Sequence, residues 1–142
     1  MAQKKMWGFT LVEIMIVVAI IGLLAALTIP NMLRSRINSD EAVAKQSLRT
    51  YSTALENYRA AQLPTTYPPD LVTLAGSNPS FIDSILGSGT KQGYVFTYAR
   101  VNANQYTIVA TPVTPNVTGT NTFFVDESGV IRFSNAAGNP IQ

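Results

Sequence analysis

A single carboxylate, Glu13, stands inside a long apolar stretch near the start of the 142-residue chain. Residues 14–29 carry no charge, and residues 9–12 extend the uncharged stretch on the other side of Glu13. An acidic side chain costs about 2.5 to 3.5 kcal/mol at the middle of a membrane helix and less near its end. A carboxylate in apolar surroundings needs a partner, so Glu13 is the first candidate for a functional residue.

Two residue types that carry much of protein chemistry are missing, because the sequence contains no Cys and no His. Their absence excludes thiolate nucleophiles, disulfides, zinc sites and the usual general base at neutral pH. Asp and Ser remain as the reactive groups of a membrane-anchored enzyme, which is the alternative from a different functional class. We predict that the protein is not an enzyme.

Oxygen ligands are grouped in the acidic segment formed by Asp126, Glu127 and Ser128. Carboxylate oxygens are the ligands that Ca²⁺ prefers. A metal-free hairpin turn explains the same three residues. The sequence therefore predicts no cofactor and leaves a structural calcium at this turn as the alternative.

The element that must position Glu13 is the apolar stretch itself. About 20 helical residues cross the roughly 30 Å hydrocarbon core of a bilayer, so residues 9–29 are just long enough. One alternative is a secretory signal peptide, with a basic start at Lys4 and Lys5 and cleavage near Ala26. A plain single-span anchor is another. Neither alternative gives the carboxylate a role.

The pattern around Glu13 is more specific than the apolar stretch. Within residues 4–36, a short basic leader ends at Gly8 and is followed by Phe-Thr-Leu-x-Glu and the apolar helix. This segment resembles the prepilin signature of type IV pilins and type II secretion pseudopilins. The resemblance covers about a quarter of the chain. It implies an α+β fold in which a long N-terminal helix packs on a small antiparallel sheet.

The resemblance also implies roles for individual residues. A membrane prepilin peptidase would cut between Gly8 and Phe9, and the new amine of Phe9 would be N-methylated. Glycine before the scissile bond leaves an unobstructed backbone for the protease. Glu13 lies four residues after Phe9 on the same helix face. In an assembled filament it would pair with the Phe9 amine of a neighbouring subunit.

Gly22 and Pro30 weaken the apolar helix. Proline inside a helix costs about 3 kcal/mol, and glycine costs about 1 kcal/mol relative to alanine. In related filaments the helix melts between matching positions, so the resemblance implies a helix-melting segment here. A kinked membrane helix explains the same two residues.

The second half of the helix is predicted from its apolar period, which continues to about Gln62. The residues of this stripe are Ile37, Ala44, Leu48, Tyr51, Leu55 and Tyr58. The two tyrosines are interpreted as core residues and not as a stacking surface for nucleic acid. Shorter helices are predicted at residues 70–74, with Asp70 as the N-cap, and at residues 79–86.

From residue 94 the apolar period changes to two, which is typical of strands. Residues 94–101 and 105–111 predict one pair of strands, and residues 122–126 and 130–134 predict a hairpin. The sequence therefore predicts an antiparallel sheet of about four strands. The loop at residues 111–121 contains a glycosylation sequon at Asn116, a pattern too short to predict modification.

These segments divide the chain into a leader, residues 1–8, a transmembrane polymerisation helix, residues 9–33, and a globular head, residues 34–142. Removal of the leader takes away Lys4 and Lys5 and leaves equal numbers of basic and acidic side chains. The basic residues are scattered, so nucleic acid is not a predicted partner. A neutral chain favours self-association.

The resemblance implies a structural subunit of a type IV pilus, a homopolymer built by an inner-membrane assembly platform. The precursor would span the bacterial inner membrane with its head outside the cytoplasm, and the mature chain would lie in a pilus on the cell surface. The runner-up is the major pseudopilin of a type II secretion system, in a periplasmic pseudopilus. A minor or competence pilin that binds DNA is the third alternative.

Overall fold

The structure is a computed structural model that describes residues 8–141. Lys4, Lys5 and most of the predicted leader lie outside the described residues. The chain divides after Ser35 into two compact units. Helix α1, Leu11–Ala61, begins in the first unit and ends in the second.

The first unit consists of the apolar part of α1 and the three residues before it. Its large apolar side chains are exposed on every side of the helix, from 42% at Leu33 to 84% at Phe9. By its length and composition, α1 is long and apolar enough to cross a membrane. Apolar surface of this extent requires lipid or other protein to cover it.

The second unit contains the rest of α1, two short helices and five strands. The short helices are α2, Leu71–Gly76, and α3, Ser84–Gly87. The strands are β1, Thr90–Lys91, β2, Tyr94–Asn102, β3, Gln105–Pro112, β4, Phe123–Asp126, and β5, Arg132–Phe133. They form one antiparallel sheet in the order β1-β2-β3-β4-β5. The predicted α+β fold is confirmed.

The sheet has one strand more than the four predicted. Strand β1 is only two residues long and joins β2 through Gln92 and Gly93, which have φ angles of +47° and +72°. This left-handed pair makes the tight turn that hairpins favour. Because two residues in a polar, glycine-rich segment show no period of two, the sequence pattern did not predict β1. Strand β5 is also shorter than the predicted residues 130–134.

The core of the second unit lies between the predicted stripe of α1 and one face of the sheet. Tyr51 of α1 packs against Phe96 of β2 with ring centroids 5.2 Å apart. The Tyr51 hydroxyl donates to the Leu86 carbonyl at 2.7 Å. The other buried stripe residues are Ala44, Leu48 and Leu55, with Tyr58 packed at the edge. Their interpretation as core residues is confirmed.

The two short helices begin at aspartate caps. Asp70 accepts a hydrogen bond from Thr73 N at 2.7 Å, which confirms it as the N-cap of α2. The prediction of a helix over residues 79–86 is wrong in its start, because α3 begins only at Ser84. Asp83 accepts a hydrogen bond from Leu86 N at 2.7 Å. Asp83 therefore caps the start of α3, and residues 79–83 are not helical.

Candidate processing and assembly site

The predicted cleavage point lies in exposed backbone just before α1. Residues 8–10 are not helical, and α1 begins at Leu11. Apart from Gly8 and its chain neighbours, no heavy atom of the described residues lies within 4 Å of the position that a Cβ on Gly8 would occupy. The Phe9 side chain is 84% exposed. Among the described residues, nothing packs over the peptide bond between Gly8 and Phe9, and cleavage at this bond stays a prediction.

Glu13 is held by hydrogen bonds within its own chain. Its Oε2 atom accepts from Thr10 N at 2.7 Å and from the Thr10 hydroxyl at 2.9 Å. In return, the Thr10 Oγ1 atom accepts from Glu13 N at 3.2 Å. This reciprocal arrangement is a capping box, which satisfies two of the amide groups left open at a helix start.

The capping box adds a residue that the sequence analysis missed. Thr10 is the N-terminal partner of Glu13, and its signal was present as Thr-x-x-Glu directly before an apolar run. The box orients the carboxylate toward the helix start, where Phe9 lies. It also leaves the Oε1 atom of Glu13 without a hydrogen bond among the described residues.

Gly22 and Pro30 lie within a helix that is continuous from Leu11 to Ala61. Apart from the chain neighbours and the adjacent helix backbone, no described atom lies within 4 Å of a hypothetical Cβ on Gly22, so side-chain packing does not require glycine there. Near Pro30, the Thr28 hydroxyl donates to the Leu24 carbonyl at 2.8 Å. Melting of residues 22–30 remains a prediction about the filament.

The turn between β4 and β5 contains the predicted calcium ligands. The Asp126 carboxylate accepts from Ser128 N at 3.0 Å and from the Ser128 hydroxyl, so it is used inside the turn. Glu127 accepts from the Gln105 side chain at 3.3 Å. Within residues 8–141 no group of three or more acidic, His or Cys residues is placed to hold a metal. The calcium alternative stays untested.

A second carboxylate, Glu41, ties α1 to a distant loop. Its Oε1 atom accepts from Thr120 N at 2.8 Å and from Asn121 N at 3.0 Å. Burial opposes the charged form, but these hydrogen bonds, that of the Asn121 side chain and the nearby Lys45 hold the pKa of Glu41 below its ordinary value. Glu41 therefore anchors the loop between β3 and β4 as a carboxylate.

The buried hydroxyls of the second unit serve structure and not acid–base chemistry. Burial raises the pKa of Tyr106 to about 12, and its hydroxyl donates to Ser52 Oγ at 3.1 Å. Burial also raises the pKa of Tyr51, Tyr67 and Tyr94 well above the ordinary range. Groups that stay protonated at neutral pH are poor general bases.

An exposed bond at the predicted cleavage point, a capped glutamate and an uncovered apolar helix are the features expected of membrane-inserted subunits that polymerise through their N-terminal helix. The family model that matches the chain is the prokaryotic N-terminal methylation motif, over residues 8–29. The type IV wide pilus major component PilA4 of Thermus thermophilus is 31% identical over 103 residues, which cover 72% of this chain and 71% of that protein. The chain belongs to the type IV pilin family.

Two further relatives match over shorter stretches of the chain. The type IV major pilin protein PilA of Myxococcus xanthus is 49% identical over 51 residues, covering 36% of this chain and 23% of that protein. The type II secretion system core protein G of Pseudomonas aeruginosa is 39% identical over 59 residues, covering 42% of each. These alignments span less than half of either relative. No solved structure shows a significant match.

Proposed function

We propose that this chain is the main structural subunit of a type IV pilus, matured by a prepilin peptidase and assembled through its N-terminal helix. The observation that carries the proposal is the apolar helix exposed on every side, preceded by an accessible Gly8–Phe9 bond. A helix that is apolar all round is stable only in lipid or inside an assembly. In the precursor, lipid covers the apolar helix. In the filament, the helices of other subunits cover it.

Maturation creates the charge that Glu13 requires. Cleavage before Phe9 produces an amine, which is N-methylated and stays positively charged. Thr10 holds the Glu13 carboxylate at the helix start, and Phe9, which would carry the amine, lies just before α1. Stacked subunits can then pair the carboxylate of one chain with the amine of the next.

A pseudopilus of a type II secretion system is the second candidate function. It is supported by the relative from Pseudomonas aeruginosa, whose name is type II secretion system core protein G. The pilus is favoured because the alignment with the Thermus pilus component continues through 72% of this chain and so includes most of the head. A DNA-binding minor pilin and an enzyme have no comparable support.

The proposal is tested with the full-length chain in its native host. Filaments sheared from the cell surface should contain this chain, beginning Phe-Thr-Leu-Val-Glu and carrying one added methyl group by intact mass. The control is Gly8→Val, which crowds the scissile bond and should leave the leader attached and the surface free of filaments. Surface filaments built without this chain, or a mature chain that begins elsewhere, would contradict the proposal. Loss of protein secretion with normal surface pili would favour the pseudopilus.

A further inference from the structure

A surface groove of about 420 Å³ lies beside the turn between β1 and β2. Ile85 and Val113 line it and are 58% and 59% exposed. Lys91 contributes the one positive charge of its lining. The two ion pairs within residues 8–141 join other residues, so Lys91 has no carboxylate within 4.0 Å in the described part of the chain. The groove is thus an apolar surface with an unpaired positive charge.

The complementary feature is the turn between β4 and β5. Its glutamate, Glu127, is exposed, and among the described residues its side chain accepts one hydrogen bond, from the Gln105 side chain at 3.3 Å. Val130 lies three residues further along the chain and Phe133 lies in β5, and they are 37% and 39% exposed. The turn and the strand after it therefore present a negative charge and two apolar side chains.

The two features cannot meet within one chain. Strands β1 and β5 are the opposite edges of the sheet. Tyr94 pairs with Pro112, and Thr107 pairs with Asp126. This register also places the groove and the β4–β5 turn at opposite ends of the strands. A contact between two different surfaces of identical subunits is heterologous, and it generates an open helical assembly unless the rotation closes into a ring.

We propose that the β4–β5 turn of one subunit docks into the β1–β2 groove of a second copy of this chain. Glu127 faces Lys91, while Val130 and Phe133 cover Ile85 and Val113. The inference rests on the proposed function, because filament assembly brings the heads together. The apolar contacts supply adhesion, and the charge pair sets the register of neighbouring heads and excludes like-charged alignments.

A second groove provides the matched alternative. It has a volume of about 280 Å³ and lies along α1, where Arg49 supplies its charge. Polar residues of its lining include Gln46, Thr50 and Asn57, and its apolar residues are Ala54, which is buried, and Phe81, which is half-buried. It offers a positive charge to Glu127 but no exposed apolar side chain to Val130 and Phe133. The exposed Ile85 and Val113 therefore favour the groove at Lys91.

Cysteine cross-linking in filaments tests the contact, and the absence of native Cys makes every introduced thiol unique. A disulfide needs Cα atoms within about 7 Å, so a short bismaleimide suits a pair of long side chains. Filaments of full-length K91C/E127C should give a ladder of covalent multimers on a denaturing gel, because each subunit carries both halves of the contact. The single variants and R49C/E127C should give no ladder.

Filaments that assemble from K91C/E127C without a ladder, or a ladder from R49C/E127C, would overturn the docking and leave the proposed function intact. Absence of filaments from the parent chain would instead contradict the proposed function. If the cysteine variant does not assemble, charge-reversal variants test the docking contact instead. Lys91→Glu and Glu127→Lys should each lower filament yield about fivefold, and the double variant should restore it. Failure of that restoration would also overturn the docking.

Discussion

Glu13 is the one charged side chain among residues 9–33, and the capping box with Thr10 explains how a single chain tolerates it. In a water-poor filament core, a satisfied ion pair contributes little net stability, while a charge without a partner costs several kcal/mol. Glu13 therefore acts mainly by penalising misaligned subunits.

Glu13→Val should abolish or strongly reduce filaments while membrane insertion and head folding persist. Cleavage should remain, because Gly8 and Phe9 are unchanged. Glu13→Asp should be milder, since it keeps the charge and shortens the reach. Filament yield by electron microscopy, measured beside the membrane-fraction abundance of each mature variant, checks this. Abundant normal filaments from Glu13→Val would leave apolar packing as the determinant of assembly.

Glu41 makes a prediction about stability, because it accepts two backbone amides and the Asn121 side chain. Glu41→Ala should lower the free energy of unfolding of the head by about 1 to 2 kcal/mol at pH 7, a range reduced for partial exposure. The folded state lowers the pKa of Glu41. Its contribution is therefore present above the ordinary value and is lost as pH falls through the lowered pKa.

Urea denaturation of the head at a series of pH values measures this contribution. The difference between wild type and Glu41→Ala should shrink below about pH 4. Glu127→Ala is the matched control, because that carboxylate is exposed and anchors no backbone amide. Equal effects from the two variants would show that the loop between β3 and β4 does not depend on Glu41.

At the scale of elements, α1 is one continuous helix through Gly22 and Pro30. Pro30 removes an internal hydrogen bond, and Gly22 adds backbone entropy to the unfolded segment. We expect residues 23–29 to lose helix in the filament, where packing of the head constrains the rest of α1. Their amides should then exchange hydrogen faster in filaments than in detergent-bound monomer.

Pro30→Ala should keep those amides protected in filaments, because it removes a local penalty of about 3 kcal/mol. Gly22→Ala should act in the same direction with a smaller effect, about 1 kcal/mol. Hydrogen exchange with mass spectrometry on both variants measures the difference. Equal protection in wild-type filaments and monomers would support a kinked membrane helix instead.

At the scale of the whole molecule, the buried core lies in the second unit. The core cluster begins at Ala44 and ends at Ile131. Residues 34–142 alone should therefore form a soluble monomer with a single cooperative unfolding transition. A fragment of residues 52–142 is the control and should not fold, because it lacks Ala44, Leu48 and Tyr51, and each large core deletion costs roughly 2 to 5 kcal/mol.

Sedimentation and thermal unfolding of the two fragments check this division. An aggregated or non-cooperative 34–142 fragment would mean that the head takes essential contacts from neighbouring subunits. A folded 52–142 fragment would mean that α1 contributes less to the core than its buried stripe indicates. Either outcome would move the boundary between the part of the chain that folds alone and the part that serves polymerisation.

Much of this protein was predictable because its signals are local. The apolar run and Glu13, the helical stripe through Leu48 and Tyr51, and the period of two from Tyr94 each appear within a few turns or strand residues. Asp70 was predictable as a cap for the same reason. The Thr10–Glu13 box was equally local, since both residues lie within one helical turn, and its pattern was overlooked.

Contacts, strand pairing and surfaces that depend on residues far apart in the sequence were determined only by the tertiary structure. Glu41 meets Thr120 across 79 positions, and no local pattern predicts that contact. Strand β1 exists because its two residues pair with β2, although they lack strand periodicity. The groove at Lys91 and the turn at Glu127 became complementary only once the strand order had placed them at opposite corners of the sheet. Local propensity determines elements, whereas pairing and packing determine which surfaces remain for a neighbouring subunit.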